Sequence, residues 1–383
     1  MDEKMFALVN AKFYGQVADK ESADLGVVIK DDRIVDVCHE SKISNSIPRV
    51  DMQGCKVMPG FIDLLTNGAG GGAFGVSADY DDLQLMANTM LAEGTTGFLA
   101  AAPSNTQELY LKMQNQLAEH QDNLPANFLG LHLEGPYLSK EFRGAHREEC
   151  VRQCTDSELH ELLDKDPHFI TLMTVAPECI NAQQIAYLKE KGVKISFGHS
   201  AVDYDTALQF FENTGCCVTH LYNGMPSMHH RNPGQVPAIF QAKPLTGVIV
   251  DGEHVAYPMV QMAHQLMGDE LYLFTDRFTE CPAMGVSHDG EHDYFVRTTP
   301  AGKQVMCGSA LTMLKAVRNC VELLGMPMYE AVSLSSYNPA RALGIDKEVG
   351  ILEPGYLANL VAINDDWQVQ RTMIAGKWVY ERS

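Results

Sequence analysis

Apolar runs of strand length alternate with stretches of mixed polarity through the middle of the chain. Eight such runs end near Asn67, Ser104, Glu134, Glu178, His199, His220, His254 and Asp276. Segments 79–93, 105–120, 181–191 and 203–213 carry helical patterns, and Thr155-Asp156-Ser157-Glu158 opens a helix near 156–164 as a capping box. Strand and helix in alternation predict a parallel sheet with helical crossovers. Eight such units in about 270 residues match the size of a (β/α)8 barrel. A doubly wound open sheet is the competing α/β arrangement. No strand leads into a G-x-G-x-x-G turn, however, and the glycines at 68–75 have the wrong spacing for a phosphate loop.

The two ends differ from the middle and resemble each other. Phe6–Tyr14, Leu25–Lys30 and Arg33–Cys38 are short strand-like runs, and so are Leu357–Ile363, Val369–Ile374 and Trp378–Tyr380. Polar turns at Asp31-Asp32 and Asn364-Asp365-Asp366 separate them. One small β domain assembled from both termini is expected, because domain termini often lie close together. The expected boundaries are 1–55 and 349–383 for the small domain and 56–348 for the barrel.

Composition narrows the setting. The chain has 383 residues, of which 45% are apolar and 20% charged, as befits a globular chain. No uninterrupted run of 18 apolar residues predicts a membrane span. Met1-Asp2-Glu3-Lys4-Met5 lacks the basic start and apolar stretch of a secretory signal. Ten cysteines without ribbon-like spacing read as reduced thiols packed as small hydrophobes. A cytoplasmic location is therefore expected. The formal net charge of −20 argues against nucleic-acid binding, but not against a small anionic substrate at a local site.

The candidate chemistry lies at the strand ends. In a (β/α)8 barrel the active site is built where strands finish, and Glu134, His199, His220, His254 and Asp276 each close an apolar run. Ionisable groups gathered in one cup are costly unless paired. A shared cation would reconcile them, and one carboxylate plus two imidazoles with an open position is the ligand set of a hydrolytic zinc site. Iron, cobalt and manganese fit the same donors. His132 lies on the same strand face as Glu134; Glu134, nearer the open end, is the expected ligand, and His132 a residue that orients one. Asp276 reads as a fourth ligand or as the general base.

Leu131-His-Leu-Glu-Gly-Pro136, Gly198-His-Ser200, His220-Leu-Tyr-Asn-Gly-Met225 and Asp251-Gly-Glu-His254 resemble the N-acetylglucosamine-6-phosphate deacetylase family of the amidohydrolase superfamily. So do Pro59-Gly-Phe-Ile-Asp63, Gly308-Ser-Ala-Leu-Thr312 and Asn338-Pro-Ala-Arg341, all in family order. The resemblance implies a metal-dependent (β/α)8 barrel with a small β-sandwich built from both termini. It implies metal ligands Glu134, His199 and His220, Asp276 as catalytic acid/base, and His146 in contact with the amide or sugar and available to the oxyanion. Asn223 and the backbone of Gly224 match phosphate and sugar contacts, completed by Arg231 and His254. In the family the matching arginine can come from the neighbouring subunit, which implies a homodimer. The implied reaction is hydrolysis of N-acetyl-D-glucosamine 6-phosphate, with the galactosamine epimer as the alternative substrate. A cyclic amide or aminopurine substrate and a silent sugar-phosphate-binding barrel are the rival readings. Arg231, a planar fork suited to phosphate, and an intact ligand set speak against both.

Three stretches depart from the common pattern. Asp63-Leu64-Leu65-Thr66-Asn67 lacks the H-x-H pair of binuclear amidohydrolases, so one metal is expected. Arg277-Phe278 stand where small residues are usual, and Pro226-Ser-Met-His-His230 is histidine-rich, as in deacetylases for the galactosamine epimer.

Overall fold

The computed structural model of the protein describes residues 5–15 and 24–382. These fall into two compact units, one formed by Met1–Asp63, Asn88–Gly97 and Thr312–Ser383, the other by Leu64–Ala87 and Phe98–Leu311.

The first unit holds two sheets. One has the strand order Arg33–His39, Leu25–Lys30, Met5–Val9, Arg49–Asp51; the other runs Lys12–Phe13, Lys56–Pro59, Leu360–Ile363, Val369–Ile374, Lys377–Glu381. The second sheet joins the chain ends directly, since Leu360–Ile363 pairs antiparallel with Lys56–Pro59. Leu8, Val27, Ile29 and Ile34 of one sheet and Phe13, Val57, Leu360 and Met373 of the other meet in one apolar cluster. Alternating apolar positions on each sheet supply it, as in a sandwich.

Eight parallel strands make the barrel sheet in chain order: β1 (Phe61–Thr66), β2 (Thr95–Pro103), β3 (Phe128–Glu134), β4 (Ile170–Val175), β5 (Lys194–Phe197), β6 (Cys217–Val218), β7 (Thr246–Val248) and β8 (Leu271–Leu273). A parallel bridge between Thr66 and Arg277 brings the two edges together, and the Arg277 carbonyl accepts from Asn67 N at 2.8 Å. The strands are apolar without alternation because crossover helices cover them; all nine residues of β2 are buried. The expected helices form at Tyr80–Ala92, Gln107–Glu119, Ala182–Glu190 and Tyr204–Thr214. Asp203 caps the last of these by accepting from Thr206 N.

The structure corrects the sequence reading in three places. At Thr155 only half of the capping box forms: its hydroxyl accepts from Glu158 N, but the Glu158 carboxylate takes Arg152 Nε at 2.7 Å instead. A charged donor outcompetes a backbone amide, and the reciprocal box lies at Asn181 and Gln184. Strands β5, β6 and β8 stop two or three residues before His199, His220 and Asp276, which have φ of +49°, +34° and +47°. A left-handed backbone cannot continue a strand. Finally, an antiparallel sheet of Val286–His288, Tyr294–Thr298 and Gln304–Ser309 follows β8, a hairpin-rich insertion absent from the expected pattern.

Candidate active site

Glu134 ends β3, and the loops after β5 and β6 carry His199 and His220 beside it. The three side chains are at least nine-tenths buried. Both histidines hold a left-handed backbone that residues with a side chain adopt reluctantly, the kind of strain that collects at functional sites. Glu178, just after β4, fixes the β5 loop: its carboxylate accepts from Ser200 Oγ and Ala201 N, both at 2.7 Å. Gly224 closes the other side. A Cβ there would stand 2.7 Å from His199 Nδ1.

Hydrogen bonding assigns the tautomers. His199 Nδ1 lies 2.8 Å from the Phe142 carbonyl, which only accepts, so Nδ1 carries the proton and Nε2 the lone pair. That lone pair faces Glu134 Oε1 at 3.2 Å and His220 Nε2 at 2.8 Å, while His220 Nε2 stands 3.0 Å from the same oxygen. A lone pair aimed at a carboxylate oxygen is repulsive without a positive charge between them. Ligands about 2.0–2.1 Å from a tetrahedral ion stand roughly 3.3 Å apart, close to the spacing observed. Glu134, His199 and His220 therefore fit a divalent cation. On proximity alone His146 would also qualify, since Glu134, His146 and His199 offer ligand atoms within 4.8 Å of one another. Its tautomer decides otherwise: Ser104 N donates to His146 Nδ1 at 3.0 Å, so the ring proton sits on Nε2, directed at Glu134 Oε2 at 3.5 Å. His146 is thus a hydrogen-bond donor at the edge of the cluster.

The charge states follow from burial and neighbours. Burial pushes the His146 and His220 rings below the ordinary histidine value. Burial by itself would raise the Glu134 carboxyl, but the rings of His146, His199 and His220 hold it well below the carboxylate range. Glu134 is therefore held as a carboxylate and burial favours the neutral ring of His220, as binding of a divalent ion requires.

Asp276 faces the same pocket, with Oδ1 accepting from Asn67 Nδ2 at 2.8 Å. His254 lines the wall, and Asp251 holds it: the ring Nδ1–H donates to Asp251 Oδ2 at 2.5 Å, leaving Nε2 as the acceptor in the neutral ring. Asn223 and Gly224 also line the pocket. Arg231 does not: it is exposed, with its guanidinium on His230 Nε2 at 2.9 Å. His132 likewise orients no ligand by hydrogen bonding. Its Nδ1–H donates to the Leu64 carbonyl and its Nε2 accepts from Thr174 Oγ1, both at 2.7 Å, beginning a run through Thr219 to Ser196 inside the barrel. Phe278 is a buried wall of the pocket, whereas Arg277 does not line it and its carbonyl accepts from Asn67 N.

Several pocket residues escape sequence reasoning. Met284, Met306 and Cys307 arrive with the inserted sheet and the turn before it, and Arg147 with a loop that carries no periodic signal; Asn67 and Ser104 stand at expected strand ends, but nothing in the sequence singled them out as pocket residues.

Comparison with known proteins agrees with this geometry. Residues 5–57 match the NagA composite domain and residues 56–379 the Amidohydrolase family. The N-acetylglucosamine-6-phosphate deacetylase of Haemophilus influenzae is 34% identical over 97% of this chain and 99% of its own. The crystal structure of the Pasteurella multocida N-acetylglucosamine-6-phosphate deacetylase superposes with a TM-score of 0.88 at 33% identity, covering 98% and 99% of the two chains. A mutant of the Mycobacterium smegmatis deacetylase, in complex with N-acetyl-D-glucosamine 6-phosphate, superposes with a TM-score of 0.85 at 28% identity over 98% and 99%. With its barrel, its composite terminal domain and its Glu-His-His cluster, the chain belongs to the amidohydrolase family.

Proposed function

We propose that the protein hydrolyses the acetamide of N-acetyl-D-glucosamine 6-phosphate to D-glucosamine 6-phosphate and acetate, using one zinc ion held by Glu134, His199 and His220. The convergence of Glu134 Oε1 and two imidazole Nε2 atoms within 3.2 Å, beside the Asp276 carboxylate, carries the reading. A divalent ion in this position lowers the pKa of water and polarises an amide carbonyl. Asp276, its plane fixed by Asn67, takes the proton from the attacking water. A C–O bond forms, the C–N bond breaks, and Asp276 returns the proton to the departing nitrogen. His146 Nε2–H donates to the carbonyl oxygen as negative charge develops there. His254 Nε2 accepts from a sugar hydroxyl, and Asn223 and the Gly224 backbone hold the sugar phosphate. Arg231, which lies outside the pocket of its own chain, serves the pocket of a second copy in a cytoplasmic homodimer.

Side-by-side kcat/KM values for N-acetylglucosamine 6-phosphate, its galactosamine epimer and unphosphorylated N-acetylglucosamine test the reading. The glucosamine phosphate is expected to be turned over best, with activity abolished by a chelator and restored by zinc. A preference of about tenfold or more for the epimer would replace the sugar. Equal rates without phosphate would remove the anion grip. Full activity in metal-free protein would refute the mechanism.

A further inference from the structure

A substrate phosphate brings a charge of about −1.5 to −2 at neutral pH into a pocket whose walls already carry the carboxylates of Glu134 and Asp276. Among the described residues lining that pocket, Arg147 is the one with a permanent positive charge. It follows His146 directly in the loop after β3, so its backbone is fixed by the same turn that aims the His146 ring. Its side chain is half-buried and hydrogen-bonded at one corner. Nη2 donates to Asn105 Oδ1 at 2.7 Å, and Asn105 Oδ1 is itself fixed by Thr106 N at 2.9 Å. Nε is buried and makes no hydrogen bond; it faces the carboxylate of Glu149, on an exposed side chain, in a long ion pair of 3.9 Å. A guanidinium has five N–H donors. Here one is committed, and it sets the plane in which the others lie.

A buried, unmatched donor on a cation costs free energy unless a ligand supplies the acceptor. We propose that Arg147 is an oxyanion contact that the chain supplies to its own pocket. It binds the phosphate of the substrate or the carboxylate of the acetate product, the two anions that the reaction places there. The inference rests on the deacetylase reading but not on Arg231, which can reach a pocket only from another copy.

The test compares wild type with Arg147→Gln and Arg147→Lys. Steady-state kinetics is measured on N-acetylglucosamine 6-phosphate and on the unphosphorylated sugar, with acetate inhibition and calorimetric binding of glucosamine 6-phosphate alongside. Loss of a charged hydrogen bond predicts a change of roughly ten- to a hundredfold. If the phosphate is the ligand, Arg147→Gln raises KM for the phosphorylated sugar and Kd for glucosamine 6-phosphate by that factor. The unphosphorylated sugar is then unaffected. If acetate is the ligand, the acetate inhibition constant rises instead and the two sugars change alike. In either case Arg147→Lys recovers part of the loss, since it keeps the charge without the planar fork. A variant that leaves phosphate discrimination and acetate inhibition both unchanged overturns the proposal. So does one that lowers kcat equally on both sugars with every binding constant intact. Wild type that hydrolyses neither sugar would instead refute the deacetylase reading itself.

Discussion

Gly224→Ala isolates how closely the backbone is built against a metal-ligand candidate. Gly224 has φ of +62°, where an added Cβ would lie 2.7 Å from His199 Nδ1, 3.1 Å from Cε1 and 3.2 Å from Cγ. Ordinary contact begins near 3.4 Å, so ring or loop must yield by about 0.7 Å. The ring has little room to do so, because Nδ1 is held by the Phe142 carbonyl at 2.8 Å and Nε2 by its place beside Glu134 and His220. Metal–ligand distances tolerate about 0.2 Å. The displacement is therefore expected to weaken metal binding by about ten- to a hundredfold, in the range found when groups supporting a ligand are lost. The left-handed backbone adds a cost of about 1–2 kcal/mol to folding. Gly215→Ala separates the two effects: Gly215 has φ of +58° with nothing within 4 Å of its added Cβ. Zinc affinity by chelator competition and the denaturant midpoint are the measurements. Gly215→Ala should lose only the backbone cost, Gly224→Ala at least as much stability, and only Gly224→Ala should lose metal. Unchanged metal affinity in Gly224→Ala, or an equal loss in Gly215→Ala, refutes the reasoning.

Asp276→Asn keeps the shape of the side chain and removes the proton acceptor. We expect kcat to fall by about 10²–10⁴ with metal content unchanged, and normal turnover would remove Asp276 from the base role. Glu134→Gln should abolish stoichiometric zinc at micromolar concentrations while Asp276→Asn does not, as read by elemental analysis of dialysed protein. His132 gives a pH signature. Burial lowers its ring to about 4, against an unfolded value of about 6.5, so only the unfolded chain takes up a proton between those values. Its contribution is complete above about pH 6.5 and lost as pH falls toward 4, an effect of about 3 kcal/mol. Denaturant titrations at pH 7, 6 and 5 should show wild type losing stability more steeply than His132→Asn, and parallel curves would contradict the assignment.

The barrel was legible because its signal is local and repeated. Each strand is a mostly buried apolar run, several helices open on a capping side chain, and residues such as Glu134, His199, His220 and Asp276 stand at the boundary between them. The pairing of chain ends was legible for the same reason, since Leu360–Ile363 and Lys56–Pro59 carry strand patterns on their own. The inserted sheet after β8 was not. Its strands are short and partly exposed, so no period rises above the surrounding loop composition.

What the sequence by itself determined is which residue types stand at which strand ends, and so the class of chemistry available to the chain. The tertiary structure alone decided the role each group takes. His146 and His199 are both buried histidines near Glu134. One meets a backbone N–H and the other a backbone carbonyl, so one presents a proton and the other a lone pair. Arg147 and Arg231 are both loop arginines with a plausible anion to bind, yet one lines the pocket and the other points to solvent. The physical reason is the same in each case. A period along the chain reports which face is buried, whereas tautomer, donor direction and pocket membership depend on atoms brought from strands and loops far away in the chain.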